Sequence, residues 1–129
     1  IVVSDILAWV DKQPQETPLL IYSSANPETV TQAQKKFGRD EIGLLIERAM
    51  GTIAKGLVER GVRQLIVAGG ETAGAVVQSL GIKGLRIGPE IDPGVPWTET
   101  LDQPNMALVL KSGNFGTPDF FLKSLEMLQ

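Results

Sequence analysis

Ile66-Val67-Ala68 runs directly into Gly69-Gly70 and then into Glu71-Thr72-Ala73-Gly74-Ala75-Val76, an apolar strand turned by two glycines into a helix. A glycine-rich turn between strand and helix commits the chain to an α/β arrangement, where such turns commonly hold phosphate. Side chains are absent there, so backbone N–H groups can converge. The helix N-terminus adds a partial positive charge of about half an elementary unit. A second glycine turn, Lys111-Ser112-Gly113-Asn114-Phe115-Gly116, again follows an apolar run and precedes a helical pattern. Two such turns point to a nucleotide or phosphorylated-metabolite site.

The remaining pattern agrees with that class. Ile6, Leu7, Trp9 and Val10 after Ser4-Asp5 predict a short amphipathic helix that ends before Pro14. Pro18 to Ser23 is a continuous apolar run of the kind expected for a strand buried on both faces. Asn26-Pro27 starts a helix that stops near Gly38. Asp40 is placed to cap the longest helix, whose apolar positions Ile42, Leu45, Ile46, Ala49, Ile53 and Leu57 recur at helical spacing up to Gly61. Gly43, Gly51 and Gly56 weaken that helix, each by up to about 1 kcal/mol relative to alanine, and are read as points of close packing. Val62 to Ala68 is a strand, Thr72 to Leu80 a helix closed by Gly81, and Leu85 to Gly88 a third strand. Pro89 to Thr100, with its Pro-Gly-Val-Pro run, is expected to be a long shaped loop. Met106 to Lys111 is the fourth strand, and Pro118 to about Leu128 the final helix. Strands alternating with helices predict one α/β domain over residues 1–129. Its sheet is expected to be mainly parallel, of about four or more strands flanked by helices, with the long Pro/Gly loop before the last strand.

Composition removes several chemistries. The 129 residues are 43% hydrophobic and 21% charged, which is globular rather than disordered. A net charge of −3 without a Lys/Arg cluster argues against nucleic-acid binding. With no cysteine, thiolate chemistry and disulfides are excluded; with no histidine, a Ser-His-Asp triad and the usual zinc ligands are excluded too. Any metal role must use oxygen ligands, as magnesium does. No apolar run approaches the roughly 20 residues of a membrane span, and the expected compartment is the cytoplasm. The opening Ile1-Val2-Val3, without methionine, reads as cut from something longer.

Three segments together carry a family. Gly69-Gly70-Glu71-Thr72-Ala73-Gly74-Ala75-Val76, then Gly88-Pro89-Glu90-Ile91-Asp92-Pro93-Gly94-Val95-Pro96-Trp97, then Lys111-Ser112-Gly113-Asn114-Phe115-Gly116 closely resemble the C-terminal nucleotide-binding domain of the four-carbon acid sugar kinases. The resemblance covers nearly the whole chain and is strongest from Leu65 to Phe121. It implies an ATP-dependent kinase acting on 3-oxo-tetronate, threonate or erythronate, with the acid sugar held by an N-terminal domain absent from this chain. The family's usual opening turn, glycine followed by Ser-Cys-Ser, is also absent, and with it one expected ATP contact.

On that resemblance Gly69 and Gly70 would let the backbone approach the ATP phosphates, with the Thr72 hydroxyl reaching phosphate or a magnesium-bound water. The alternative is a tight turn that binds nothing. Glu71 either holds magnesium or a ribose hydroxyl, or complements the helix dipole. Lys111 is the candidate cation near the phosphates, or else a solvated strand end. Ser112, Gly113, Asn114 and Gly116 would shape a second wall of the site. Glu90 and Asp92 are the further magnesium candidates, with turn closure as their alternative. Trp97 is either a base-stacking residue or a buried anchor, and Phe115, Phe120 and Phe121 are most simply core. No residue here qualifies as the base that takes the proton from the attacking hydroxyl, and the family's missing domain is expected to supply it. The fragment alone is therefore expected to be inactive. Homo-oligomerisation is left open. The competing reading is a non-catalytic α/β module that senses a phosphorylated metabolite or docks a partner. An aldolase or isomerase reading lacks both a histidine and a lysine in an evident apolar pocket.

Overall fold

The computed structural model describes residues 3–22, 35, 38–102, 104–111 and 118–128, and the architecture below refers to these. Helix α1 (Val3–Asp11) is followed by the long α2 (Arg39–Glu59), strand β1 (Gln64–Ala68) and helix α3 (Gly70–Leu80). Strands β2 (Leu85–Asp92), β3 (Val95–Thr100) and β4 (Ala107–Lys111) come next, and α4 (Phe120–Glu126) closes the domain. The four strands form one sheet in the order β1-β4-β3-β2.

The α/β class is as expected, but the sheet is not mainly parallel. Only β1 and β4 run in parallel, in register from Gln64↔Ala107 to Ala68↔Lys111. β3 is antiparallel to both β4 and β2. The difference lies in the Pro/Gly segment. Instead of a loop, Pro89 to Thr100 builds most of the β2–β3 hairpin, and its prolines fall where a ladder tolerates them. Pro89 lies in a bulge, because β2 advances three residues between Ile87 and Glu90 while β3 moves two, from Thr98 to Pro96. Pro96 stands opposite Glu90 but beyond the β4 ladder, which engages β3 only at Thr98 and Glu99, so no N–H is demanded of it on that side. Pro93 and Gly94 make the turn; Gly94 takes φ +81, which suits the third position of a type II turn.

Alternation along β1 and β4 divides the interior into two cores on opposite faces of the sheet. Leu65, Val67, Leu108 and Leu110 face α2 and α3, meeting Ala54, Ala73 and Val76. Ile66, Ala107 and Val109 face the other way, with Ile91, Val95, Trp97 and Phe120. Leu108 and Val109 are both 0% exposed, so β4 is buried on both faces. α1 packs on α2, and Asp11 accepts from Arg60 Nε at 2.7 Å across that contact. This hydrogen bond holds the Asp11 carboxyl below its ordinary value and raises the Arg60 guanidinium.

Other expectations divide. Two of the three helix glycines are points of close packing: a Cβ on Gly51 would land on Ser79 Oγ, and one on Gly56 would come within 2.6 Å of Leu7 Cδ1. Gly43 has nothing within 4 Å. Asp40 is not the cap of α2; the helix begins at Arg39, and Gly38, at φ +82, stands at the N-cap without a side-chain bond. Pro18 to Tyr22 forms no strand, and Leu20 and Tyr22 are 64% and 69% exposed. An apolar run alone does not secure a neighbour to pair with. The helix expected after Asn26 lies almost entirely outside the described residues.

Candidate functional site

Because β1 and β4 are parallel neighbours, their C-terminal ends finish side by side. In open α/β sheets that is where ligands bind. The last register pair is Ala68↔Lys111, and one residue further Gly69 donates its N–H to the Lys111 carbonyl at 2.7 Å. The two glycine segments singled out in the sequence therefore start from adjacent points, joined by a backbone hydrogen bond.

Gly69 takes φ +108, a conformation that L side chains rarely adopt, and this lets the chain turn from β1 into α3 within one residue. Its carbonyl accepts from Ala73 N at 2.8 Å, which is the first bond of the helix. Helix geometry leaves the N–H groups of Gly70, Glu71 and Thr72 without intrahelical acceptors, and among the described residues no side chain caps the helix start. Three such donors beside the positive end of the helix dipole are the arrangement that suits an anion. The N–H of Gly69 itself is committed to Lys111. Glu71 is exposed in the first turn and Thr72 is half-buried behind it.

Lys111 is half-buried at the end of β4, and its Nζ lies 5.8 Å from the centroid of the Phe120 ring, within cation–π range. Ser112, Gly113, Asn114 and Gly116, the expected second wall, lie outside the described residues, as does Phe115. Phe120 is core at 2% exposure, whereas Phe121 is 42% exposed.

The acidic candidates separate by place. Glu90 accepts the N–H of Gly94 at 2.8 Å and so closes the hairpin turn. Asp92, 7% exposed, pairs with Lys123, whose Nζ is 2.5 Å from Oδ1. That hydrogen bond raises the Lys123 pKa above the ordinary lysine value, partly opposed by burial. Both carboxylates belong to the β2–β3 hairpin; Glu71 belongs to the glycine turn itself. Among the described residues no three acidic side chains gather in a way that could hold a metal on their own. A single carboxylate does fit magnesium arriving with nucleotide phosphates, since that ion keeps several waters and needs only one or two protein ligands.

Trp97 is a buried anchor, not a stacking surface: it is 3% exposed and donates Nε1–H to the Ser124 carbonyl at 2.9 Å. The residues that sequence reasoning missed are Lys123 and Ser124. With Phe120 they stand at i, i+3 and i+4 of one helix, a spacing that places them on one face. A separate groove of about 350 Å³ between β2, β3 and the start of β4 is lined by residues such as Ile87, Trp97 and Leu128, none of which belongs to the glycine turns. Among the described residues no helix is long and apolar enough to cross a membrane.

Comparison with known proteins places the chain in a family. Residues 1–121 match the sequence model of the family described as nucleotide-binding C-terminal domain. The chain is 53% identical over 111 residues to a 3-oxo-tetronate kinase of Cupriavidus necator, covering 86% of this chain and 26% of the relative. It is 51% identical over 127 residues to a 3-oxo-tetronate kinase of Burkholderia multivorans, covering 98% of this chain and 29% of that protein. A crystal structure of a Haemophilus influenzae DUF1537 protein superposes with a TM-score of 0.86 at 36% identity, over 98% of this chain and 31% of that one. The chain thus spans well under a third of the length of the curated relatives it matches. With residues 1–121 matched by that model and relatives named 3-oxo-tetronate kinase about half identical to it, the chain belongs to the nucleotide-binding C-terminal domain family.

Proposed function

We propose that this domain binds ATP at the C-terminal ends of β1 and β4 and serves a kinase that phosphorylates a hydroxyl of a four-carbon acid sugar. The observation that supports the reading is the Gly69 N–H bond to the Lys111 carbonyl, which ties the first glycine turn to the end of β4, the residue at which the second glycine segment begins in sequence. The N–H groups of Gly70, Glu71 and Thr72 would bind the phosphate oxygens, and the Thr72 hydroxyl would add a donor. The Lys111 ammonium would offset the charge that spreads over the transferred phosphoryl oxygens. Magnesium would arrive with ATP and screen the phosphates, with Glu71 as its ligand from this domain. The names of the relatives favour 3-oxo-tetronate as the acid sugar over threonate or erythronate. The acid-sugar pocket and the base for the attacking hydroxyl are assigned to the part of the relatives that this chain does not span, since none of the described residues offers either.

The test is calorimetric titration of the full-length protein with magnesium-ATP. Lys111→Ala is expected to weaken ATP binding by about tenfold or more, in keeping with loss of a charge-assisted contact worth about 1.5–3 kcal/mol. Gly70→Val, which crowds the approach to the helix end, is expected to act in the same direction. Unchanged ATP affinity in both variants would refute the site.

A further inference from the structure

The β2–β3 hairpin grips α4 at two consecutive residues. Asp92 takes a hydrogen bond from Lys123, and the Trp97 indole donates to the carbonyl of Ser124. Ser124 is 0% exposed and passes the hold along the helix, its hydroxyl donating to the Phe120 carbonyl at 2.7 Å. Phe120 in turn lies beneath the Lys111 ammonium. Hydrogen bonds thus lead from the hairpin to Phe120, and a cation–π contact leads from Phe120 to the lysine that ends β4.

Packing alone does not account for the charge in this run. Phe120 and Trp97 already share a core with Ile91, Val95 and Val109, which holds the helix to the sheet. A buried carboxylate costs desolvation, and an apolar pair of similar volume is often as stable or more so. What an ion pair adds is a preferred register, because the Lys123 ammonium reaches the buried Asp92 carboxylate over only part of the helix's rotation and translation. We propose that Asp92 and Lys123 are positioning residues for nucleotide: by fixing the register of α4 they set the Phe120 ring under Lys111 and aim its ammonium beside the Gly69–Gly70 turn. The proposal rests on the reading of that turn as the ATP site.

A double-mutant cycle in the full-length protein tests it, read by magnesium-ATP titration, by the KM values for ATP and acid sugar, and by thermal midpoint. Lys123→Met is expected to weaken ATP binding about fivefold and to raise KM for ATP while leaving that for the acid sugar unchanged. Lys123→Arg, which keeps the pair, is expected to bind ATP as the wild type does. In a Lys111→Met background, Lys123→Met is expected to add no further loss of ATP affinity, although it still shifts the thermal midpoint. The proposal is overturned if Lys123→Met lowers only the thermal midpoint, or if the two losses of affinity multiply. If Lys111→Met itself leaves ATP affinity unchanged, the nucleotide site falls and the positioning role falls with it. If Lys111→Met weakens binding and Lys123→Met does not, only the positioning role is lost.

Discussion

Gly43 and Gly51 occupy the same helix, eight residues apart, and differ in what a methyl group would meet. At Gly43 no described residue lies within 4 Å of an added Cβ; at Gly51 an added Cβ falls on Ser79 Oγ and lies 3.1 Å from Ser79 Cβ and 3.2 Å from the Ala75 carbonyl oxygen. Alanine gains helix propensity at both sites, and only at Gly51 must a neighbouring helix move. Gly43→Ala is therefore expected to raise stability by up to ~1 kcal/mol. Gly51→Ala is expected to lower it by ~1–3 kcal/mol through overpacking. Urea midpoints of the two variants decide the matter, and shifts in the same direction would remove the contact between α2 and α3 at Gly51 from the account. The sequence marked both glycines alike, because a glycine in a helical pattern reports that something is small there and not what stands opposite. The same limit applies to Glu90 and Asp92. Their acidity and proximity were legible, but their partners, Gly94 and Lys123, were fixed only by the hairpin and by a helix some thirty residues away.

At the scale of elements, helices and their stops were the legible part. Gly81 takes φ +66 and Gly61 φ +95 at the ends where helical periodicity failed, and α3 begins at the glycine pair. The β2–β3 hairpin was not legible, because prolines at 89, 93 and 96 read as breakers until the bulges and the reach of β4 are known. That hairpin now explains how α4 is held, and the hold has a pH signature. The hydrogen bond to Asp92 raises the Lys123 pKa, so the folded state binds that proton more tightly than the unfolded state does. The sign follows from linkage. Stability from the pair is whole below the unfolded lysine value, about 10.4, and is lost as pH rises through the higher folded value. Between about pH 10 and 12, the urea midpoint of the wild type is expected to fall more steeply than that of Lys123→Met. Lys123→Arg is expected to follow the shallower course, since a guanidinium keeps its proton throughout that range. Parallel curves for wild type and Lys123→Met would mean that the pair contributes nothing to the hold on α4.

At the scale of the whole molecule, β4 joins two halves that the sequence presents separately. Its parallel partner β1 leads into α3 and the glycine turn, while its antiparallel partner β3 leads back to the hairpin that secures α4. Leu108 belongs to the core under α2 and α3, and Val109 to the core under α4, so adjacent residues of one strand anchor opposite faces. A strand buried on both faces transmits the loss of either core to the other, since neither layer keeps its sheet once β4 leaves it. Leu108→Ala is expected to cost about 2–5 kcal/mol, and Val109→Ala somewhat less for the smaller volume removed. The more telling expectation concerns cooperativity. In a Trp9→Phe background, Trp97 fluorescence reports the α4 face, and far-ultraviolet circular dichroism reports mainly α2 and α3. Each substitution is expected to shift both transitions together, including Leu108→Ala, whose cavity lies on the face that Trp97 does not touch. Two separated transitions would show that the layers unfold independently. The proposed ATP site would then be divided between them, because Gly69-Gly70 opens the α3 side while Lys111 rests on Phe120 of the other. A single shared transition instead means that the distance between the glycine turn and the lysine is held by the folding of the domain as a unit. In that case Leu108→Ala and Val109→Ala, which lie away from the Lys111–Phe120 contact, are expected to weaken nucleotide binding only when they unfold the protein.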